Sequence, residues 1–529
     1  MNVKSMLKMT LAPLMAASFM LSTPPQTAAR PTGGIVNVVS VGEPELLNPV
    51  FDQSPEARSL YDLIYAGLIR QNSRGELTAD LLNNVPTARN GGVMMLPDGG
   101  MRVNYKLRPD LYWQDGQAIT TADILFTWQV NTDPRVVGAS NISNPGYEKI
   151  RRIELVSDKE ANVYFYAPYG EYYRLFQQLL PRHSFRSAHW PFDRNHPYNT
   201  RPIGAGPFRL SEWKKGESAL LEMNPYYHRA RAQVDQVRYA FKEKGFRSFK
   251  QAADWAGEAH VLRGLSLASY DYLKDREDLQ LHVVRTGEIE HMLFNLDHPV
   301  LSDRRVRRAL AHATDRKVIA QSLLGLGDVA FSDQLKESWK YYPGSEAYYA
   351  YDTAAAKRQL ALAGVETPLE LELTLEQGNR SHQIIGQYLQ KAWKKVGVDL
   401  RLKFVASRIL RAEVLPRRDY AMAFSTWRED GRETPYLRWH STQKAPEGIN
   451  YTGMNDYQVD VVTQALQKTV DFSEQKRLYR ELATLLGDNL PALPLYHGVV
   501  LEAHKNNLQN FTPNQQASLS WNSADWWLK

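Results

Sequence analysis

The densest cluster of reactive side chains in the chain is Trp427-Arg428-Glu429-Asp430-Gly431-Arg432-Glu433-Thr434-Pro435-Tyr436. Three carboxylates stand beside an indole. Glycoside hydrolysis needs such a pair, one acid and one base or nucleophile flanking the bond. Their tight spacing on a glycine-containing loop, however, reads as a solvated turn. Other catalytic patterns are no better formed. The 13 histidines are scattered, and no His-Glu-x-x-His occurs. Gly264-Leu-Ser266-Leu-Ala268 lacks the second glycine and the preceding strand of a serine elbow. There is no cysteine, hence no thiolate metal site, cysteine nucleophile, disulfide or lipid-modified anchor. Neither catalysis nor a metal or other cofactor is expected.

Composition leaves a globular chain. It has 529 residues, 43% hydrophobic and 23% charged, enough for two or three domains with their own cores. A net charge of +6 over that length is too dilute to argue for nucleic acid. Tyr (28) and Trp (12) are plentiful, as they would be at core edges or in an aromatic-lined ligand cavity. Lys4 and Lys8 precede an apolar run from Met9 to Leu21, and Thr27-Ala28-Ala29 supplies small residues for cleavage. Residues 1–29 therefore read as a signal peptide, with Arg30 as the mature start. A soluble, unanchored periplasmic protein is expected.

Several elements are legible. Leu107 to Trp128 reads as a strand end, a tight turn at Asp115-Gly116, and a helix capped by Thr120 or Thr121 with Ile124, Leu125 and Trp128 on one face. Gly34 to Val41 is β-rich, and Ser54 to Leu68 has helical spacing. The glycines of 90–100 read as a hairpin, not a phosphate loop, because no Lys-Ser or Lys-Thr follows. Leu369, Leu371, Leu373 and Leu375 alternate, Asn379 to Val396 is helical, Gly397 stops it, and Val398 to Phe404 alternates again. That is a βαβ crossover with parallel strands, whose carboxyl ends favour ligands. Ser302 or Asp303 caps a helix with Val306, Ala309, Leu310 and Ala313 inward. Its Arg304, Arg305, Arg307 and Arg308 are expected to face solvent. Tyr351-Asp352-Thr353 opens a helix that Gly364 ends.

The block Leu107 to Trp128 resembles the signature of the extracellular solute-binding proteins of family 5, the peptide, nickel and oligosaccharide receptors of ABC importers. Further blocks resemble the family in order: Arg201 to Leu210 with Trp213, Glu222 to Tyr227, Phe294-Asn295-Leu296 with Asp303 to Leu310 and Asp315-Arg316, Tyr351-Asp352 with Lys357, Leu360 and Ala363-Gly364, Trp393 with Lys395 to Val398, and Pro491 to Tyr496. The resemblance implies an α/β fold, periplasmic binding protein type II-like, with two lobes and three domains. It implies a discontinuous first domain (30–72, 200–285 and 498–529), a second over 73–199 and a third over 286–497. It also implies a monomer that closes a hinge on a peptide or related small solute and hands it to membrane permease subunits.

In peptide-binding relatives an Asp-Pro after the Trp holds the ligand's α-ammonium; Thr434 stands at that place here. The segment where some dipeptide receptors carry an Arg for the carboxylate is Glu376-Gln377-Gly378-Asn379, followed by Arg380. Oligosaccharides, opines or long peptides held by backbone contacts therefore stand beside free short peptides as ligands. A carbohydrate-active enzyme and a periplasmic scaffold without transport are the remaining readings. The expected ligand contacts are Trp427 as a stacking wall, Glu376 and Thr434 as polar contacts, Tyr436 and Asp430 beside them, and Glu45 and Asn48 from the first loop.

Overall fold

A computed structural model describes residues 33–529, except 73–75, 137–145, 186–192, 243–256, 258, 266, 324, 326–327, 335, 337, 429–433 and 515–519. The expected signal segment and residues Glu429, Asp430, Glu433 and Ser266 lie outside the described residues.

One mixed sheet runs through the molecule. Its strands in chain order are β1 (Ile35–Val41), β2 (Phe208–Lys214), β3 (Ser218–Met223), β4 (Gln236–Lys242), β5 (Val261–Leu265), β6 (Leu279–Phe294), β7 (Leu369–Glu376), β8 (Val398–Val405), β9 (Met422–Arg428) and β10 (Ala492–Lys505). Their spatial order is β8-β7-β9-β6-β10-β5-β1-β4-β3-β2, and an eleventh short strand, Asp328–Val329, pairs with β10 off this path. The long strands β6 and β10, of 16 and 14 residues, lie antiparallel in the middle and belong to both halves. A separate four-stranded antiparallel sheet uses Val93–Met95, Met101–Lys106, Glu160–Phe165 and Ile150–Ser157.

Each half has its own apolar core. Val36, Val38, Leu60, Phe208, Val237 and Trp526 belong to one, around β1 to β4 and helix α1 (Pro55–Ile64). Trp113, Val103, Phe165 and Tyr172 belong to the core of the four-stranded sheet. On the far side of β6 and β10, two cores cover opposite faces of the sheet. One holds Leu371, Leu373, Ile385 and Trp393; the other holds Leu293, Ala423, Trp427 and Leu478.

Three expectations need correction. Helix α1 stops at Ile64, not Leu68, because the Gln114 side chain takes the Ile64 carbonyl at 2.9 Å and Gly204 packs against the same oxygen. Helix α2 (Thr121–Thr132) does not present one face. Ile124 enters the core of the four-stranded sheet while Phe126 and Val130 enter the core around β1, so the helix is wedged between two cores and carries apolar residues around its circumference. Its N-terminus is tied as expected, the Asp123 carboxylate accepting from the Thr120 amide at 2.9 Å. On helix α3 (Arg304–His312), Arg307 is buried rather than solvated. Its guanidinium donates to the carbonyls of Leu301 (2.6 Å), Ser302 (2.9 Å), Asn489 (2.5 Å) and Leu490 (3.0 Å). Four carbonyls at a chain crossing form an acceptor set that apolar side chains could not satisfy.

Other local readings hold. Helix α4 (Thr353–Ala363) is capped by Asp352 and ends at a left-handed Gly364, φ +69°. The βαβ unit is present: β7 and β8 are parallel, paired from Leu369 with Val398 to Glu376 with Val405. Between them lies helix α5 (Arg380–Lys394), whose cap Asn379 accepts from the His382 amide at 3.2 Å, with Gly397 at φ +87° after it. The hairpin over 90–100 sets Val93 opposite Val103.

Candidate functional site

Strand direction and register place the site. β1, β4 and β5 are mutually parallel, and so are β7, β8 and β9. β5 pairs antiparallel with β10, β10 with β6, and β6 with β9, so the two parallel sets run in opposite directions. β9 ends at Arg428 opposite Glu288 of β6, and β5 ends at Leu265 opposite Leu501 of β10. On β10, His497 lies opposite Ile289, so only Gly498, Val499 and Val500 separate the two levels. At strand rise the four steps from His497 to Leu501 span about 13 Å. The carboxyl ends of both parallel sets thus face each other across one crevice, the place where open α/β sheets bind ligands.

The floor of that crevice is irregular. Pairing of β6 with β10 breaks between Arg285 and Ile289, where Thr286, Gly287 and Glu288 face the single residue Gly498. Gly287 sits at φ +78°, and a Cβ on Gly498 would come within 2.6 Å of Thr286 Oγ1. A bulge at paired glycines is where two crossing strands bend most readily. Glycine inside a strand is the sequence signal that could have located it.

Among the described residues, the expected contacts lie at or after the carboxyl ends of β1, β7 and β9, and they differ in what they offer. Glu376 ends β7, is half-buried, and has Arg411 3.9 Å from its carboxylate. Thr434 caps the short helix α6 (Pro435–Trp439), so its hydroxyl is engaged by the Leu437 amide at 3.5 Å. Tyr436 lies two residues on from that cap, its ring 4.4 Å from His440 and its hydroxyl 3.2 Å from Thr442 Oγ1. Glu45 is exposed on the loop after β1 and accepts from Arg194 at 2.7 Å. Asp430 lies outside the described residues.

Two of the expected contacts face inward. Asn48 is fully buried; its Nδ2 donates to Asn199 Oδ1 at 2.8 Å and its Oδ1 accepts from the Val50 amide at 3.0 Å. It shapes the loop from within. Trp427 is 4% exposed. His291 lies 4.2 Å from its ring, Trp439 meets it edge-on at 5.0 Å, and the Arg438 guanidinium lies over it at 4.8 Å. The side chain of Trp427 therefore supports the crevice wall from inside the core.

Sequence reasoning did not single out a group of polar residues under that wall. Glu290 of β6 is buried, and its Oε2 accepts from the exposed Thr426 hydroxyl at 2.7 Å. His382 lies 3.5 Å from the same oxygen. On the opposite sheet face, burial holds His291 well below the ordinary histidine range, helped by the nearby Arg438 charge. Burial likewise pushes His497 down to about 4, with the Arg285 charge acting in the same sense and Asp328 opposing. Both rings are neutral at neutral pH. His291 and Trp439 also line a cavity of about 50 Å³ with Asp333 and Ser345. Among the described residues no group of three or more His, Asp or Glu side chains is arranged to hold a metal ion.

The halves touch at a second place. Gly170, beside the four-stranded sheet, donates its amide to the Gln467 carbonyl at 3.0 Å, and Gln475 donates to the Gly170 carbonyl at 3.2 Å. Tyr173 packs edge-on against Phe472 at 5.8 Å. Gln467 lies at the end of helix α7 (Tyr457–Lys468), and Phe472 opens helix α8 (Phe472–Asn489).

Comparison with known proteins agrees with this architecture. The sequence profile of bacterial extracellular solute-binding proteins, family 5 (middle region), matches residues 96–448. The chain is 24% identical to the oligopeptide-binding protein AppA of Bacillus subtilis, over 96% of this chain and 94% of that one. It is also 24% identical to the probable deoxycholate-binding periplasmic protein YgiS of Escherichia coli, over 78% of this chain and 80% of that one. The structure of HbpA2 from Haemophilus parasuis is 18% identical and superposes with a TM-score of 0.79, covering 94% of this chain and all of that one. With facing strand ends across two crossing strands and a family match over most of its length, the chain belongs to the bacterial extracellular solute-binding proteins of family 5.

Proposed function

We propose that this chain is the periplasmic receptor of an ABC importer, capturing a peptide or related small solute by lobe closure and delivering it to the membrane permease. The observation that carries the reading is the crevice itself. Two sets of strand ends face each other, joined by β6 and β10 at a glycine-bearing bulge. A bend there brings the two walls together and removes a solute from water, as hinge closure does. The full-length similarity to a protein named for oligopeptide binding supports peptide as the solute class. The family resemblance supports three domains with boundaries near 72, 199, 285 and 497.

The ligand contacts come from the segments that end β7 and β9 and follow β1: Glu376, the stretch from Arg428 to Tyr436 including Asp430 and Thr434, and Glu45. Trp427 stiffens the wall. The protein works as a monomer without catalysis. Among the described residues no helix is long and apolar enough to cross a membrane. Export through the amino-terminal signal segment puts the receptor in the periplasm.

The test is solution scattering with and without tripeptides, paired with thermal unfolding. A receptor becomes more compact on binding and gains several degrees by linkage. A radius of gyration and melting point that ignore peptides, sugars and opines alike would end the reading.

A further inference from the structure

The crevice wall carries a buried carboxyl group that has no Lys or Arg partner among the described residues. Glu288, at the end of the β6–β9 pairing, is bonded by the Arg428 guanidinium at 3.0 Å. Glu290, two residues on and on the same sheet face, has no such partner: among the described residues no Lys or Arg nitrogen lies within 4.0 Å of it. It is 4% exposed, and its Oε1 has no hydrogen-bond partner. His382 does not supply a cation. Its Nδ1 accepts from the Glu376 amide at 3.2 Å, so that nitrogen carries the lone pair. The single ring proton is then on Nε2, which is 3.5 Å from Glu290 and makes no hydrogen bond. A buried carboxylate left in this state is costly, and a cation beside it relieves the cost.

The surroundings decide which cation. Thr426 donates to Glu290 and is itself exposed at the end of β9, so the carboxylate lies directly beneath the crevice surface. Tyr496 pairs with Glu290 across β6 and β10, and the nearby carboxylates raise its hydroxyl beyond what burial does. One carboxylate that already accepts from a hydroxyl suits an ammonium or guanidinium group. A metal ion would need more ligands than the described residues assemble here.

Building on the receptor reading, we propose that Glu290 is the counter-ion for a cationic nitrogen of the captured solute, making the protein selective for solutes that carry an ammonium or guanidinium group.

The test uses calorimetry on the wild type, Glu290→Gln and Thr426→Val with four probes: Ala-Lys-Ala, Ala-norleucine-Ala, and the N-acetylated form of each. The wild type is expected to lose tenfold or more in affinity when the nitrogen seated at Glu290 is removed, whether that is the lysine amine or the amino terminus. Glu290→Gln is expected to lose that discrimination while binding the neutral probe as the wild type does. Thr426→Val is expected to keep it. Thermal melts establish that each variant is folded. A wild type indifferent to all four changes, or a Glu290→Gln variant that discriminates as the wild type does, overturns the proposal and leaves solute capture standing. A wild type that binds none of the four overturns the peptide reading and the proposal together.

Discussion

Lys340 Nζ lies 3.5 Å from Glu171 Oε1 across the contact between the two halves, and Arg174 holds the same carboxyl group through Oε2. Both Lys340 and Glu171 are largely screened from water, with side chains 6% and 14% exposed. Burial alone would raise the Glu171 carboxyl; the Lys340 and Arg174 charges outweigh it and bring it down to about 2 from an ordinary 4.5.

A carboxyl whose folded value is depressed stabilises the fold above its unfolded value, here about 4.5, and loses that contribution as pH falls toward 2. The difference is at most about 3 kcal/mol. Denaturant unfolding at pH 7 and pH 3 should show the wild type losing more stability than Glu171→Gln. Equal losses in the two proteins would dismiss the ion group as a source of acid sensitivity.

Lys340→Met should cost about 3 kcal/mol or more at neutral pH, because it leaves a carboxylate in a dry contact with half its charge partners gone. Gly170→Ala should disturb the same contact by another route, since its Cβ would come within 2.4 Å of the Thr469 carbonyl. Hydrogen exchange at the amides of 466–475 reads both effects; unchanged protection in either variant would show that the contact is not held this way.

Trp427→Ala separates a ligand wall from a core support. The ring is enclosed by His291, Trp439 and Arg438. Removing it should lower stability by about 3–5 kcal/mol. A large loss of solute affinity with full stability retained would instead place the indole in the ligand's path.

Arg307→Lys should destabilise nearly as much as Arg307→Met. One ammonium cannot reach four carbonyls arranged around a planar fork. Burial lowers the guanidinium to about 10, so the group stays charged at neutral pH and the loss should be flat across the neutral range. Full rescue by lysine would show that charge alone suffices there.

Gly287→Val is directed at the bulge. Valine at φ +78° is strained, which predicts a loss of about 1–2 kcal/mol and a change in the scattering response to solute. Wild-type closure and stability in this variant would move the hinge elsewhere.

Much of the fold is legible from local pattern. The Asp352 cap with Gly364 at the far end, and the leucine alternation of 369–375 followed by an Asn379-capped helix, are settled among residues a few positions apart. Capping and periodicity act over one turn or one strand pair, so composition and spacing suffice. Family membership is legible in the same way, from ordered blocks beginning at Leu107.

The site is legible only as a set of segments. The expected segments lie at or after the carboxyl ends of β1, β7 and β9, but whether a given side chain is exposed or buried depends on partners far away in the chain. Thr426 and Glu290 are 136 positions apart, and Arg307 meets Leu490 across 183. Desolvation makes the difference: a charge is cheap in water and costly in a core, and only the assembled structure sets which water is removed. Residue order and spacing thus suffice for the capped helices, the βαβ unit and the family. Long-range packing alone turns Trp427 and Asn48 inward, buries Arg307, and leaves Glu290 buried beside Thr426 with no Lys or Arg partner among the described residues.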